Sequence, residues 1–249
     1  MSVDLERADR TLIIRMNRPH KRNAIDAEMT AGLDSALNTF EDDPDLWVAV
    51  LTGTGDIFSA GTDLAAGSGG RTGRGGEYGV IRRTRRKPLI AAVEGRALGG
   101  GMELVLACDL VVAARTAAFG LPEPRRGVIA TCGGLFRTQR ALPLNIAKEL
   151  LLTGEPLPAE RAWQLGFVNR LTDEGETIPA ALELATRIAL NAPVSVRESL
   201  VALETMNSAD DAEAWQVTEA AMAATLSSAD TAEGISAFLE RRTPRWSGK

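Results

Sequence analysis

The sequence contains a single histidine, His20, and only two cysteines, Cys108 and Cys132. Zinc sites and histidine-based catalytic triads need imidazoles that converge with other groups, so we expect no metal site and no such triad. Two cysteines are too few for a disulfide framework, which fits a reducing compartment and predicts a cytoplasmic location. His20 lies in the polar turn NRPHKRN and is predicted to be a solvated loop residue.

The chain also lacks long apolar runs and a basic excess. No stretch approaches the roughly 20 apolar residues of a membrane span, and the first ten residues contain no basic segment followed by an apolar run. We therefore expect neither a membrane partner nor a secretion signal. The net charge of −5 argues against a nucleic-acid partner, so an anionic ligand must meet local basic groups.

Apolar segments and helical patterns together predict the α/β class, followed by a C-terminal helical region. The strand candidates are 11–17, 46–53, 88–95, 109–115 and 117–121. The helix candidates are a segment that starts at the N-cap Asp26 and runs to about residue 42, then 144–153, 159–165, 177–191, 194–206, 210–227 and 230–242. The Gly-, Arg- and Ser-rich segment 66–76 is predicted to be a mobile loop.

The turn GDIFSAGTDL follows the strand candidate 46–53 directly. Its small residues Ser59, Ala60 and Gly61 allow the backbone to approach a ligand closely, and Gly61 tolerates a positive φ. A backbone N–H in this turn is then available to a ligand oxygen. The alternative is an ordinary turn between a strand and the next element.

Three glycines precede an apolar helix in ALGGGMELV, with Glu103 in its first turn. The unpaired N–H groups at Gly99–Gly101 and the helix dipole favour an anion or a developing oxyanion. The segment matches neither a dinucleotide-binding GxGxxG pattern nor a phosphate-binding Walker loop. In the alternative interpretation, the three glycines serve only close packing.

A second glutamate, Glu123, lies between Pro122 and Pro124, which stiffen the backbone around it. If the fold brings Glu103 and Glu123 together, two carboxylates face one pocket beside a glycine N–H. This combination suits acid/base chemistry next to a carbonyl or thioester. Considered alone, Glu123 is equally compatible with a surface loop.

Basic residues cluster between positions 82 and 87. The cluster consists of Arg82, Arg83, Arg85, Arg86 and Lys87. It indicates either a solvated helix end or, together with Lys21, Arg22, Arg71 and Arg74, a phosphate-binding surface.

In their order along the chain, these segments resemble the enoyl-CoA hydratase/isomerase (crotonase) family. The matching segments are NRPHKRNAI (17–25), GDIFSAGTDL (55–64), KPLIAAVEGRALGGGMELVLACDL (87–110), AFGLPEPRRGV (118–128), LLTGEPLPAERAWQLGFVNRL (151–171) and GISAFLERRTPRW (234–246). The resemblance implies a spiral of repeated ββα units over 1–190 and a C-terminal helical region over 191–249 in the same structural unit. It also implies a homotrimer or a dimer of trimers.

The resemblance further implies roles for particular residues. The backbone N–H groups of Thr62 and Gly100 would form an oxyanion hole for the thioester oxygen. Glu103 and Glu123 match the paired acids of hydratases. The residues implied in coenzyme A binding are Ala60, Asp63, Leu64 and Ala65, with Lys21 or Arg22 at the phosphates.

These roles imply an enoyl-CoA hydratase that adds water reversibly to a 2-enoyl-CoA thioester. Coenzyme A is part of the acyl-CoA substrate, and no other cofactor is implied. Alternatives on the same scaffold are double-bond isomerisation, a carnitinyl-CoA-type dehydration, and a non-catalytic acyl-CoA-binding protein. The presence of both glutamates favours the addition or removal of water. After Glu123, the segment PRRGVIATCGG departs from the pattern common in the family, which leaves the substrate open.

Overall fold

The computed structural model describes residues 2–67, 69–208 and 210–247. Within these residues, the strands in chain order are β1 Val3–Ala8, β2 Thr11–Met16, β3 Val48–Gly53, β4 Arg71–Thr72, β5 Gly76–Glu77, β6 Leu89–Val93, β7 Arg96–Leu98, β8 Leu110–Ala114, β9 Ala118–Gly120, β10 Leu157–Pro158 and β11 Arg170–Thr172. The α-helices are α1 Ala27–Asp42, α2 Gly100–Leu106, α3 Gly134–Ala141, α4 Leu144–Thr153, α5 Ala159–Gln164, α6 Thr177–Ala189, α7 Pro193–Asn207, α8 Asp211–Leu226 and α9 Ala229–Glu240.

Six strands form the main sheet in the order β1-β2-β3-β6-β8-β11. The pair β1 and β2 is antiparallel, and the other neighbours are parallel. A second sheet has the order β10-β9-β7. The consecutive strands β6 and β7 therefore lie in different sheets before α2, and β8 and β9 repeat this split. This arrangement confirms the predicted α/β spiral of ββα units.

The central strands of the main sheet are buried on both faces. Ala49 and Leu51 of β3 belong to the larger core, which also contains Phe40 of α1. The alternate residues Val48 and Val50 pack in a second core together with side chains of α6. Because successive side chains of a strand point to opposite faces, one continuous apolar run serves both cores.

The predicted strands and most predicted helices are confirmed, with their ends shifted by one or two residues. Asp26 caps α1 as predicted, since its carboxylate accepts the N–H of Met29 at 2.9 Å. The segment 66–76, predicted to be a mobile loop, instead contains the hairpin of β4 and β5, and Ser68 lies outside the described residues. Strands β1, β7, β10 and β11 and helix α3 were not predicted.

A solvated helix end is wrong for Arg83, Arg85 and Lys87, which have internal partners, whereas Arg86 is exposed. The alternative of a phosphate-binding surface stays a prediction. Arg83 and Lys87 are buried. Arg83 forms an ion pair with Asp34 of α1 at 2.5 Å. The ammonium group of Lys87 donates to the carbonyl of Phe40 at 2.8 Å. These contacts fasten α1 to the segment that leads into β6.

Asp109, which lies three residues after the end of α2 at Leu106, has a structural role. Its carboxylate accepts hydrogen bonds from both terminal nitrogens of Arg85, at 2.6 and 2.8 Å. It also accepts the backbone N–H of Leu89 at 2.7 Å, which fixes the start of β6.

The domain ranges 1–190 and 191–249 stay predictions, and residues 1, 209, 248 and 249 lie outside the described part. Among the described residues, no helix combines the length and the apolarity needed to cross a membrane.

We expect Asp109→Asn to lower the free energy of unfolding by about 3–5 kcal/mol, because it leaves the buried Arg85 guanidinium without its counter-charge. The matched control is Arg86→Gln, which breaks an exposed ion pair with Glu198 and should cost no more than about 1 kcal/mol. Urea denaturation at one fixed protein concentration measures both variants. Equal unfolding midpoints for the two variants would contradict the structural role of the buried pair.

Candidate active site

Two backbone segments meet at the ends of β3 and β7. The turn after β3 is bridged to β7 through Ser59 and Ala97. On its other side, the N–H of Ala60 donates to the carbonyl of Arg22 at 3.0 Å. Gly61 has a φ of +88°, and a Cβ there would lie 2.8 Å from the backbone nitrogen of Gly100. Only a glycine permits this approach.

The close approach brings the N–H groups of Thr62 and Gly100 to one place. Gly100 is the first residue of α2, where backbone N–H groups lack a partner within the helix. Within the described residues, neither the Thr62 N–H nor the Gly100 N–H donates to a protein acceptor. Two adjacent free donors suit an oxygen that gains negative charge.

Glu103 is buried in the first turn of α2, with only 2% of its surface exposed. Its Oε1 accepts the backbone N–H groups of Cys132 at 2.7 Å and of Gly134 at 2.9 Å. Both donors come from the loop and first turn of α3, so this unpredicted helix start fixes the carboxylate. Glycine is required at Gly134, since a Cβ there would lie 2.9 Å from Oε1.

Glu123 begins a 3-10 helix, Glu123–Arg126, that follows β9. A Cβ on Gly99 would lie 3.1 Å from its Oε1, so the carboxylate packs directly against the glycine run before α2. Its Oε2 is buried, and no group within the described part of the chain hydrogen-bonds to it. A buried carboxylate oxygen without a donor favours the protonated acid.

The environment raises the pKa of both glutamates. Burial is the main cause for Glu103, and the negative charge of Glu123 adds to it, whereas the N–H groups of Gly134 and Cys132 oppose the shift. Burial also raises the pKa of Glu123, opposed by its own backbone N–H and by the positive charge of Arg126. The two carboxylates therefore favour a state in which they share one proton near neutral pH.

Both glutamates face a cavity of about 190 Å³. Of the residues predicted from the sequence, those that line it are Ala60, Thr62, Leu64, Gly100, Glu103 and Glu123. Three predicted coenzyme A contacts lie elsewhere. Asp63 pairs with Arg18 at 3.2 Å, and Ala65 and Arg22 are exposed. Their roles stay predictions.

Several residues that line the cavity were not predicted as site residues. They are Tyr78, Arg126, Val128, Ile129, Thr131, Met222, Thr225 and Leu226. Tyr78 follows the unpredicted hairpin, and the last three belong to α8, about 100 residues after Glu123 in the chain. The described residues contain no group of three or more His, Cys, Asp or Glu side chains that could hold a metal ion.

The model of the enoyl-CoA hydratase/isomerase family matches residues 6–249. The chain belongs to this family. It is 38% identical to mevalonyl-coenzyme A hydratase sidH of Aspergillus fumigatus, with 94% of this chain and 90% of that protein covered. It is 37% identical to carnitinyl-CoA dehydratase of Salmonella typhi, with 100% and 99% covered.

Solved structures of the family agree with this assignment. The crystal structure of carnitinyl-CoA hydratase from Mycobacterium avium matches with a TM-score of 0.92 at 40% identity and covers 100% of this chain and 99% of that one. The family, the crotonase fold and the hydratase-type, hydro-lyase chemistry predicted from the sequence are thereby confirmed.

We expect Gly61→Ala to weaken the binding of an acyl-CoA at least tenfold, because the new methyl group would push Gly100 away from Thr62. The control is Gly166→Ala, where φ is also positive, at +84°, but a Cβ meets nothing within 4 Å. In both variants, the positive φ lowers the free energy of unfolding by about 1–2 kcal/mol. A difference in binding between them therefore does not arise from stability alone. Calorimetric titration measures binding, and equal affinities of the two variants would contradict the packing argument.

Proposed function

We propose that the protein catalyses the reversible addition of water to a 2-enoyl-CoA thioester. The observation that carries the proposal is the pair of the buried Glu103 and the partly buried Glu123, which faces one cavity beside the free N–H groups of Thr62 and Gly100. An isomerase needs only one such acid, and a binding protein needs neither. Two such acids next to two donors favour water chemistry at a thioester.

The N–H groups of Thr62 and Gly100 bind the thioester oxygen in this proposal. When oxygen adds to C3, the electrons of the C2–C3 double bond move towards the thioester and form an enolate. The two N–H groups then stabilise the new negative charge on the oxygen. One such donor typically contributes about 3 kcal/mol to transition-state stabilisation.

Glu103 acts as the base and Glu123 as the acid. The two N–H groups on Oε1 of Glu103 stabilise its ionised form, which takes a proton from the attacking water. The unpartnered Oε2 of Glu123 suits the protonated form, which donates its proton to C2 of the enolate. After the addition, Glu103 holds a proton and Glu123 is ionised, so the pair again shares one proton. Dehydration is the same sequence in reverse.

Coenzyme A lies along the backbone of the turn after β3 in this proposal, and no other cofactor takes part. Ala60, Asp63, Leu64 and Ala65 contact its adenine and pantetheine portions, and the exposed Arg22 meets a phosphate. Ala60 and Leu64 line the cavity, and the next residue in the chain, Ala65, is exposed, which supports this direction of entry.

The acyl group is short and polar. The cavity of about 190 Å³ has little room for a long alkyl chain. Its walls include the hydroxyl groups of Tyr78, Thr131 and Thr225 and the guanidinium of Arg126. The names of the relatives, mevalonyl-CoA and carnitinyl-CoA, denote oxygen-bearing acyl groups, which supports this preference. The positive charge of Arg126 disfavours a cationic acyl group such as carnitinyl.

The protein assembles as a homotrimer or a dimer of trimers in the cytoplasm. Large apolar side chains are exposed on α7, α8 and α9, which supports burial of these helices between subunits. They include Leu203, Met206, Val217, Leu226, Phe238 and Leu239. The two free cysteines fit a reducing compartment.

We expect Glu103→Gln and Glu123→Gln each to lower kcat for crotonyl-CoA hydration by on the order of 10²–10⁴-fold, since each removes one proton-transfer step. The double variant should fall little further, because the two acids act as a unit. Loss of enoyl-thioester absorbance measures turnover, and Glu160→Gln, an exposed position, is the control. If both single variants hydrate as fast as the wild type, the proposed function is wrong.

We expect kcat/KM to depend on pH as a bell, because activity requires one shared proton on the pair. The apparent pKa values of both limbs should lie above the ordinary glutamate pKa of about 4.3, since burial raises the pKa of both glutamates. Arg126→Gln removes the positive charge that lowers the pKa of Glu123, so Glu123 keeps its proton longer and the alkaline limb moves to higher pH.

The matched control for this shift is Arg125→Gln. Arg125 is exposed and binds the carbonyl of Thr153 at 3.1 Å, outside the cavity. The alkaline limb of the pH profile of Arg125→Gln should coincide with that of the wild type. An unmoved or lower limb in Arg126→Gln would contradict the electrostatic effect of Arg126 on Glu123.

A further inference from the structure

Tyr78 is the single tyrosine of the chain and lies in the cavity wall directly after β5. It adopts a positive φ of +56°, which is uncommon for a bulky residue. Only 5% of its surface is exposed. A strained backbone and a buried phenol together indicate a position that the surrounding structure holds for a purpose.

The phenol lies over both residues of the proposed oxyanion hole. Its hydroxyl is 2.8 Å from Oγ1 of Thr62. On the other side, a Cβ on Gly100 would lie 2.6 Å from the same hydroxyl and 2.8 Å from the ring carbon that bears it. The hydroxyl therefore lies close to both residues whose N–H groups form the proposed oxyanion hole.

The hydroxyl keeps its proton in this environment. Burial raises the pKa of Tyr78 well above its ordinary value, and the nearby Cys132 and Glu103 act in the same direction. Either hydroxyl can donate in the Thr62–Tyr78 contact. When Thr62 donates to the phenol oxygen, the phenol O–H is available to a ligand or to the thiol of Cys132, since a hydroxyl both accepts and donates. A neutral donor beside a forming anion stabilises it without a proton transfer.

We propose that Tyr78 is a third hydrogen-bond donor to the thioester oxygen, held in place by Thr62. This inference rests on the proposed function, because it concerns the same enolate oxygen. The hydroxyl strengthens its hydrogen bond as the oxygen gains charge, so it acts on kcat more than on substrate affinity. It also explains why a glycine is needed at position 100, where any side chain would displace the phenol.

The test uses Tyr78→Phe, which keeps the ring and removes only the hydroxyl. We expect kcat to fall by on the order of 10²-fold, the usual effect of one oxyanion donor, with KM changed less than threefold. Thr62→Val keeps the backbone N–H and removes the partner of the phenol, so its kcat should fall by a smaller factor. Unchanged unfolding midpoints in urea would separate these effects from a loss of structure.

A second readout does not depend on turnover. Donors that polarise a thioester carbonyl lower its stretching frequency, so the infrared absorbance band of the carbonyl of butyryl-CoA, a short and unreactive probe, should shift to lower frequency when it binds to the full-length wild type. Tyr78→Phe should bind this thioester with a reduced shift. If the variant keeps both the wild-type kcat and the full shift, the inference is overturned while the proposed hydratase stands.

The two proposals fail in different ways. If the wild type hydrates no enoyl-CoA, the proposed function fails, and the absorbance shift still decides the role of Tyr78. If Tyr78→Phe does not fold, Thr62→Val carries the test with the phenol in place. A wild-type kcat and a full shift in Thr62→Val would then overturn the inference.

Discussion

The close contact between two backbone segments is the constraint on which the site depends. The turn at Ser59–Gly61 and the glycine run at Gly99–Gly101 approach until a single methyl group would separate them. Hydrogen bonds hold the turn from both sides, since Ile25 donates to the carbonyl of Gly61 and Leu98 to that of Ser59. The N–H groups of Thr62 and Gly100 are therefore fixed before any ligand arrives. Such preorganisation removes the cost of aligning donors during a reaction.

Two buried carboxylates next to each other are unfavourable for stability, and the surrounding elements limit that cost. Glu103 receives two N–H donors at the start of α3, whereas Glu123 is left with a buried oxygen that has no donor within the described residues. In the proposed mechanism, this asymmetry would make Glu103 the ionised carboxylate and Glu123 the protonated acid. Active sites commonly retain such locally unfavourable arrangements because the chemistry needs them.

The sequence predicted what local patterns encode and missed what depends on long-range partners. Continuous apolar runs predicted the buried strands β3 and β6, and the capping residue Asp26 predicted the start of α1. The basic cluster was partly misinterpreted because its counter-charges, Asp34 and Asp109, lie about 50 and 25 residues away. A run of like charges does not reveal which of its members pair with acidic side chains far away in the chain.

The candidate site divides in the same way. Glu103, Glu123, Thr62 and Gly100 belong to short segments with a recognisable family pattern, so they could be named before the fold was known. Tyr78 could not be named, because its contact with Thr62 exists only once the Gly-rich hairpin of β4 and β5 has formed. The lining residues of α8 depend on the chain folding back across the cavity, which no local pattern encodes.

The C-terminal helices also brace the proposed acid. Thr231 of α9 donates through its hydroxyl to the carbonyl of Gly127 at 2.5 Å, one residue after the 3-10 helix that begins with Glu123. The guanidinium of Arg126 lies 4.8 Å from the ring centre of Phe238 on the same helix. Because α9 also exposes apolar side chains, its burial between subunits would restrict the segment that carries Glu123. In the proposed oligomer, assembly and the position of the acid would be linked through this one helix.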